Sequence, residues 1–319
     1  MNVRWGLAEL PGLLKELELK HLFLVASPRW EAPVEVVGEW RQAPSDRIGE
    51  AAAASRGADA LLAVGGGSAI DLAKAIAVET GLPVVSVPTT YSGAEWTPSF
   101  GIRDQDRRMR GGGGGAALAG IVYDPELTLG LPRAETVGTS MNALAHAAEA
   151  LYVKGRNPEG DREALAGAQL IGEWLPLVVD SPDDIDARRG LLEGAMHAGA
   201  ALASAGLGLA HAMAQALGGR FGLPHGAMNA LTLPPALRFN EAVADREIAR
   251  FGEALGTDDP SGRVQELALL GGYQRLRDQG VPENELDAVA EAAAIRPGAK
   301  ANPRPATPSQ ISGLLRSIY

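Results

Sequence analysis

Sequence patterns typical of β-strands occur only in roughly the first 130 residues of this chain. This uneven distribution is the feature that most limits which folds the chain can adopt. Apolar runs rich in β-branched residues occur at 21–27, 59–66, 82–90 and 119–127, with helix-like stretches between them. Continuous apolar strands that alternate with helices are typical of a parallel sheet covered on both faces. We therefore predict an α/β domain with a parallel sheet over residues 1–130.

Beyond residue 130 the spacing of apolar residues becomes helical. The segments 132–155, 159–179, 184–206 and 207–222 all carry apolar residues one helical turn apart. A chain of 319 residues is longer than a domain with a single hydrophobic core usually is, so two domains are expected. We predict a second, all-helical domain over residues 131–319.

The composition limits the partners of the chain. Lysine and arginine number 29 against 39 aspartate and glutamate, and the resulting net charge of −10 repels a nucleic-acid backbone. No apolar run reaches the roughly 18 residues of a membrane span, and the first twenty residues are too charged for a signal peptide. The absence of cysteine excludes disulfides and thiolate metal ligands. We expect a cytoplasmic protein without nucleic-acid or membrane partners.

A glycine-rich turn joins a strand to a helix in "LLAVGGGSAIDLAKAIA", where Gly65, Gly66, Gly67 and Ser68 stand at the turn. Glycines allow close backbone approach, and a new helix offers unpaired N–H groups to an anion. The turn matches neither the Rossmann fingerprint nor a Walker loop. It indicates a phosphate cradle, or else a tight turn without a ligand. Asp71 is grouped with this cofactor site, although with Lys74 it also fits a surface ion pair.

A second loop, "VPTTYSGAEWTP", follows the next strand and carries the hydroxyls of Thr89, Thr90 and Ser92. Ligands of open parallel sheets bind outside the carboxyl ends of the strands. The two loops together predict a nucleotide site, whereas the second loop alone also fits an ordinary turn held by hydroxyl hydrogen bonds.

Histidines in the helical half form a candidate site. Asn142 and His146 are four residues apart and therefore lie on one helix face. His211 and His225 follow in "HAMAQALGGRFGLPHG", while His21 and His197 fit surface and structural roles. The group is compatible with a metal site that has one weakened ligand, a metal-free catalytic cluster, or a helical core.

A run of five glycines, residues 111–115, interrupts the first half. Glycine loses the most conformational freedom on folding, so regular structure is costly there. We predict a mobile loop between two strands.

Six segments occur in a fixed order: "GGGSAIDLAKAIA", "PTTYSGAEWTP", "VYDPELTLGLP", "MNALAHAAEALY", "HAMAQALGGRFGLPHG" and "NPRPAT". In these segments the chain resembles the iron-containing alcohol dehydrogenase superfamily, which includes dehydroquinate synthase, and within it the maleylacetate reductase branch. The resemblance implies a nucleotide-binding α/β domain followed by a helical catalytic domain, with the active site in the cleft between them. It also implies a homodimer.

By this resemblance, Gly65, Gly66, Gly67 and Ser68 hold the dinucleotide pyrophosphate, and Thr89, Thr90 and Ser92 line the cofactor towards the nicotinamide. Pro28 and Arg29 stand after the first apolar strand, where metal-dependent relatives often place an acidic residue on the ribose. An arginine there also tolerates a 2′-phosphate, so the expected cofactor is NADH or NADPH. The chain is also short between its first two apolar strands, where residues 31–40 replace about a helix and a strand of the relatives.

In metal-dependent relatives an aspartate and three histidines bind a divalent ion, and these positions fall on Asn142, His146, His211 and His225. An amide oxygen binds Fe²⁺ or Zn²⁺ less well than a carboxylate, and maleylacetate reductases resemble this chain in having asparagine there. We expect that no metal is required. Gln215 replaces a second histidine one turn after His211.

The resemblance implies hydride transfer from NAD(P)H to an unsaturated or oxo-substituted carboxylic acid. A protonated histidine among His146, His211 and His225 would stabilise and protonate the enolate. The substrate carboxylates need cations, for which Arg220, Arg238 and Arg304 are the candidates. The alternatives are a metal-dependent alcohol dehydrogenase, a synthase like dehydroquinate synthase, or a non-catalytic relative.

Overall fold

The chain divides into two compact units. In the computed structural model, which describes residues 2–319, contacts between Cα atoms group Ala94–Gly130 with the residues up to Thr90, and Tyr91–Gly93 with Leu131–Tyr319. The sequence placed every residue up to 130 in the first domain, so the position of Tyr91–Gly93 differs from that expectation. Hydrogen bonds to helices of the second unit, described below, account for the difference.

The first unit is built on a six-stranded parallel sheet. Its strands, with those of a separate hairpin, are β1 (Asn2–Trp5), β2 (Leu22–Ala26), β3 (Gly38–Trp40), β4 (Ala60–Gly65), β5 (Val84–Pro88), β6 (Phe100–Arg103), β7 (Met109–Gly113) and β8 (Leu118–Tyr123). The sheet order is β1-β8-β5-β4-β2-β3, and every neighbouring pair is parallel. The parallel sheet predicted from the sequence is confirmed.

Helices α1 (Leu10–Glu16), α2 (Ile48–Ala54) and α3 (Gly67–Thr80) pack on the sheet. Leu61 and Ala63 of β4 belong to the buried cluster that contains α2 and α3, whereas Leu62 and Val64 belong to the one that contains α1. Successive residues of a strand point to opposite faces. Both faces of β4 are therefore covered, which is why its sequence is continuously apolar instead of alternating.

The first three residues of the glycine run, 111–113, belong to a strand and not to the predicted mobile loop. β7 pairs with β6 in an antiparallel hairpin, with Phe100 opposite Gly113, Gly101 opposite Gly112 and Ile102 opposite Gly111. A Cβ atom on Gly112 would lie 2.8 Å from the Phe100 carbonyl oxygen, and one on Gly113 would lie 2.8 Å from the Phe100 ring. The glycines allow this close approach of the two strands, and the hairpin hydrogen bonds offset their conformational cost.

The short segment between β2 and β4 contributes one strand to the sheet. β3 pairs in parallel with β2 at the edge of the sheet. A Cβ atom on Gly38 would lie 3.1 Å from the Phe23 ring, so the strand packs closely on β2. Residues 31–40 thus supply a strand directly after β2, with no helix between the two.

The second unit is helical. Its helices are α4 (Arg133–Ala150), α5 (Pro158–Asp180), α6 (Ile185–Ala205), α7 (Leu209–Phe221), α8 (His225–Ala254), α9 (Pro260–Leu269), α10 (Leu286–Ala294), α11 (Pro297–Ala301) and α12 (Pro308–Ser317). α4 is buried along most of its length and packs against α5, α6 and α8. Together with the parallel sheet, these helices confirm the predicted fold class.

The "NPRPAT" segment is tied to α8. The buried side chains of Asn302 and Asn240 exchange two amide hydrogen bonds, at 2.7 and 3.0 Å. Arg304 lies over the Phe239 ring, 4.1 Å from its centroid, and donates to the Phe239 carbonyl oxygen. This segment therefore has a structural role.

Over residues 2–319, no single helix is long and apolar enough to cross a bilayer. α6 and α7 meet that criterion only when taken together, across a bend of 103°.

Candidate active site

Three adjacent strands of the first unit end at one edge of the sheet. Ala26 of β2 pairs with Val64 of β4, and Gly65 of β4 pairs with Pro88 of β5. The segments that follow these strands carry most of the predicted cofactor residues: Pro28, Arg29, Gly66, Gly67, Ser68, Thr89 and Thr90. The structure therefore brings these residues to the carboxyl edge of the sheet.

The glycine turn at this edge leaves no room for side chains. Gly65 has a φ of +150°, and a Cβ atom on it would lie 2.9 Å from Ala69 Cβ. A Cβ atom on Gly66, the N-cap of α3, would lie 2.8 Å from Thr90 Cγ2. No side chain caps α3, and the buried Thr90 hydroxyl has no hydrogen-bond partner among residues 2–319. A bare helix N-terminus beside an unpartnered hydroxyl fits the phosphates of a dinucleotide.

Asp71 and Lys74 form an ion pair in which the lysine is buried, and not the surface pair considered from the sequence. Lys74 Nζ lies 2.7 Å from Asp71 Oδ1, and the lysine side chain is only 1% exposed. The same ammonium donates to the Ala94 carbonyl oxygen, and Asp71 Oδ2 accepts from the Gly101 amide. Because the chain after β5 folds back over α3, both carboxylate oxygens of Asp71 are engaged in holding that loop.

Arg29 lies in the turn after β2. Its guanidinium donates to the Gly130 carbonyl oxygen at 2.7 Å and lies 5.2 Å from the centroid of the Trp30 ring. Trp30 Cδ1 is 4.0 Å from where a Cβ atom on Gly65 would stand. Trp30, which the sequence did not single out, is therefore the residue of this turn that borders the glycine turn.

Ser92 belongs with the second unit, whereas Thr89 and Thr90 belong with the first. The Ser92 carbonyl oxygen accepts a 2.8 Å hydrogen bond from Asn142 Nδ2. A Cβ atom on the next residue, Gly93, would lie 3.5 Å from His146 Nδ1. Ser92 is therefore placed beside the predicted histidine site.

The helical unit brings the four predicted site residues together. Asn142 and His146 lie on α4, His211 lies on α7 and His225 begins α8. The ring centroids of His146 and His211 are 4.6 Å apart and stacked, and those of His211 and His225 are 5.7 Å apart. Residues separated by up to 83 positions in the sequence thus form one cluster, in which Asn142, His146 and His211 are buried and His225 is partly exposed.

Asn142 is at the centre of the hydrogen bonds in this cluster. Its Oδ1 accepts from Asn229 Nδ2 at 2.6 Å and lies 3.3 Å from His211 Nε2. Asn229 Nδ2 is also 3.1 Å from His225 Nε2. The sequence analysis missed Asn229, although its position four residues after His225 on α8 places both on one helix face.

Glu149 is a second residue that the sequence analysis missed. Its buried carboxylate lies 2.6 Å from His211 Nδ1 and accepts the backbone amides of Gly208 and Ala210, each at 2.7 Å. These amides are at the N-terminus of α7, which no residue of its own caps. Glu149 therefore both caps α7 and orients His211. Its spacing of seven residues from Asn142 is the signal that could have identified it.

His146 is the least suited of the three histidines to carry the proton, although the sequence analysis considered all three. Burial, reinforced by the nearby His211 and His225, holds the pKa of His146 well below its usual value. Its Nδ1 is buried and has no hydrogen-bond partner within residues 2–319. His146 is therefore neutral near neutral pH.

The arrangement of Asn142 and His211 does not fit a metal ion. The Asn142 oxygen already faces Asn229 and His211, and both ring nitrogens of His211 face oxygens of Asn142 and Glu149. Metal binding needs lone pairs that converge on one point, and here those of Asn142 and His211 are directed at other side chains. Over residues 2–319, no cluster of three or more His, Cys, Asp or Glu side chains is arranged to hold an ion.

The three arginines considered for the substrate carboxylates have partners within the protein. Arg220 forms an ion pair with Glu285, Arg238 donates to the Ser261 hydroxyl, and Arg304 donates to the Phe239 carbonyl oxygen. Their side chains therefore hold helices and segments of the second unit together.

Known proteins resemble this chain over its length. A sequence profile of the iron-containing alcohol dehydrogenase family matches residues 6–117, and one for the C-terminal part of the Fe-containing alcohol dehydrogenase family matches residues 136–319. A maleylacetate reductase of Burkholderia cepacia is 40% identical over 264 residues, which cover 82% of this chain and 74% of that protein.

Solved structures share the fold. The crystal structure of maleylacetate reductase from Agrobacterium tumefaciens superposes with a TM-score of 0.89 at 31% identity, covering 100% of this chain and 95% of the other. A 1,3-propanediol oxidoreductase superposes with a TM-score of 0.93 at 26% identity, covering 100% and 98%. The chain therefore belongs to the iron-containing alcohol dehydrogenase family and is an oxidoreductase.

Proposed function

We propose that this chain is an NAD(P)H-dependent reductase that transfers a hydride to an unsaturated or oxo-substituted carboxylic acid of the maleylacetate type. The observation that carries the proposal is the cluster around Asn142, in which amide hydrogen bonds hold the histidines together. Its similarity to proteins named maleylacetate reductase supports the same substrate class. The first unit would bind the cofactor, and the second would carry the catalytic groups.

The cofactor site we propose is the carboxyl edge of the sheet. Gly65, Gly66, Gly67 and Ser68 would hold the pyrophosphate at the start of α3, with the Thr90 hydroxyl as an additional hydrogen-bonding group. NADH or NADPH would supply the hydride. Asp71 supports this site indirectly, because its carboxylate holds the loop that follows β5.

The proton-bearing histidine we propose is His211. Hydride addition to a carbon–carbon double bond conjugated with a keto group leaves negative charge on an enolate oxygen, which a hydrogen-bond donor stabilises. The Glu149 carboxylate at Nδ1 orients the ring, and Nε2 makes only a long contact of 3.3 Å with the Asn142 amide oxygen, which the enolate oxygen would replace as the acceptor of the proton. His146, whose pKa is lowered by burial, would shape the site as a neutral ring.

A second candidate function is a metal-dependent alcohol dehydrogenase. The superposition on a 1,3-propanediol oxidoreductase favours this activity. It requires Asn142, His146, His211 and His225 to exchange their mutual hydrogen bonds for metal ligation.

Turnover assays with maleylacetate distinguish the two functions. We expect oxidation of NADH or NADPH when maleylacetate is added, at a rate unchanged by dialysis against a chelator. Alcohol oxidation that is lost on chelation and restored by Fe²⁺ or Zn²⁺ would overturn the metal-free reductase. We further propose, from the family resemblance, a cytoplasmic homodimer without nucleic-acid or membrane partners, which sedimentation of the purified chain would check.

A further inference from the structure

Arg296 is a half-buried cation without an acidic partner. It precedes α11, and its guanidinium lies 3.4 Å from both the side-chain oxygen and the carbonyl oxygen of Gln215. Its Nε is buried and has no hydrogen-bond partner, and it forms no ion pair within the described residues 2–319. Arg220, in contrast, lies on the same helix as Gln215 and is paired with Glu285.

The position of Arg296 relates it to the histidine cluster. Gln215 follows His211 by four residues on α7, so the two side chains lie on one face, about 6 Å apart along the helix. α11 is fixed against the beginning of α7, because a Cβ atom on Gly298 would collide with the Gly208 carbonyl oxygen. The guanidinium is therefore held at Gln215, the residue one helical turn after His211.

An unpaired charge in this setting is costly. Burial lowers the pKa of Arg296 from its usual value, which shows that water solvates the guanidinium incompletely. The two contacts with Gln215 are long and involve uncharged oxygens. A carboxylate offers a guanidinium two parallel charge-assisted hydrogen bonds, which are stronger and shorter than these contacts.

We propose that Arg296 binds a carboxylate of the substrate and that Gln215 orients its guanidinium for this purpose. The inference rests on the proposed function in taking that substrate to be an oxo dicarboxylic acid. It accounts for glutamine in place of a second histidine after His211, because an amide accepts from the guanidinium without neutralising it. An arginine next to the proton-bearing histidine would hold the acid with its enolate oxygen towards His211.

Two substitutions test the proposal, and a third serves as a control. Arg296→Gln removes the charge, and Gln215→Glu supplies an internal carboxylate that competes with the substrate. We expect each to raise the KM for maleylacetate by about 10- to 100-fold, as for loss of a charged hydrogen bond, with a smaller change in kcat. Arg220→Gln, which removes a surface ion pair from the same helix, should leave KM within twofold.

A binding measurement separates this proposal from the proposed function. Adipate, a six-carbon dicarboxylate that cannot be reduced, is titrated calorimetrically into the wild-type chain and each variant, with dimethyl adipate as the uncharged comparison. Adipate binding that weakens at least tenfold in Arg296→Gln and Gln215→Glu supports the role of Arg296, even if maleylacetate is not turned over. Wild-type turnover with unchanged KM and adipate affinity in both variants would overturn that role and leave the reductase standing. A wild-type chain that neither turns over maleylacetate nor binds adipate would overturn both.

Discussion

The pair formed by Glu149 and His211 is the most constrained contact of the candidate site. Glu149 accepts from His211 Nδ1 while it caps α7, so the ring orientation and the helix start are fixed by one carboxylate. We expect Glu149→Gln to lower kcat by about 100-fold, within the usual range for a misaligned general acid, and to change KM for the cofactor much less. Steady-state kinetics over a range of pH would show whether the pH profile of kcat changes with it.

Glu163→Gln is the matched control for Glu149→Gln. Glu163 accepts from His197 Nδ1 at 2.7 Å, a similar carboxylate–imidazole pair, but both side chains are partly exposed. Its removal should leave kcat and its pH profile unchanged. Equal losses in the two variants would show that the effect of Glu149 is general destabilisation and not positioning of His211.

Spacing within one helix predicted part of the site and could not predict the rest. Asn142 and His146 are four residues apart on α4, so their common face follows from helical geometry alone. Asn229 meets Asn142 from α8, and Glu149 meets His211 from α4, through tertiary packing that no local pattern encodes. The asparagine at position 142 indicated that the site departs from a metal site. It did not indicate which side chains donate hydrogen bonds to the amide oxygen.

The turn from β4 into α3 is the element on which we expect cofactor binding to depend. Gly66→Ala would push a methyl group to within 2.8 Å of Thr90 Cγ2. Overpacking of this kind costs about 1–3 kcal/mol, so we expect a lower Tm and an affinity for NADH about tenfold or more weaker. Thermal unfolding and fluorescence titration with NADH measure the two effects.

Gly12→Ala is the control for that substitution. Gly12 lies in α1 of the same unit, and a Cβ atom there meets no atom within 4 Å. This variant should keep the wild-type Tm or exceed it, with unchanged NADH affinity. If Gly66→Ala also kept full affinity, the glycine turn would not be the cofactor cradle.

Strands and helices could be predicted where the local pattern of apolar residues matches the packing around them. β4 carries apolar residues on both sides because both faces of the sheet are covered, and the sequence showed this directly. β7 was missed because its glycines carry no strand preference, and only the partner strand stabilises it. The buried Lys74 was missed because its burial depends on how the chain after β5 folds back over α3.

Stability of the whole chain should depend on pH through His146. Its folded-state pKa lies well below the usual value of about 6.5. Below pH 6.5 the unfolded chain therefore binds a proton that the folded chain does not, so the free energy of unfolding decreases as pH falls. When the pH is lowered from 7.5 to 5.5, we expect the free energy of unfolding to decrease by about 1 kcal/mol less in His146→Gln than in wild type. Urea unfolding at both pH values measures this difference.

His146→Asn provides the check on that comparison. Asparagine and glutamine differ in shape but neither titrates, so both variants should flatten the pH dependence equally. If the free energy of unfolding of either variant changed with pH as steeply as that of wild type, the pH dependence would belong to groups other than His146.

The segment Tyr91–Gly93 has a consequence for dividing the gene. These residues are placed between β5 and the rest of the first unit in sequence, yet Ser92 accepts from Asn142 and the Tyr91 hydroxyl accepts from the buried Arg188. A fragment that begins at Leu131 would lack both acceptors. The helical unit of this protein is therefore not a contiguous segment of the chain, and recombination between relatives at residue 130 would separate it from the three residues that Asn142 and Arg188 hold.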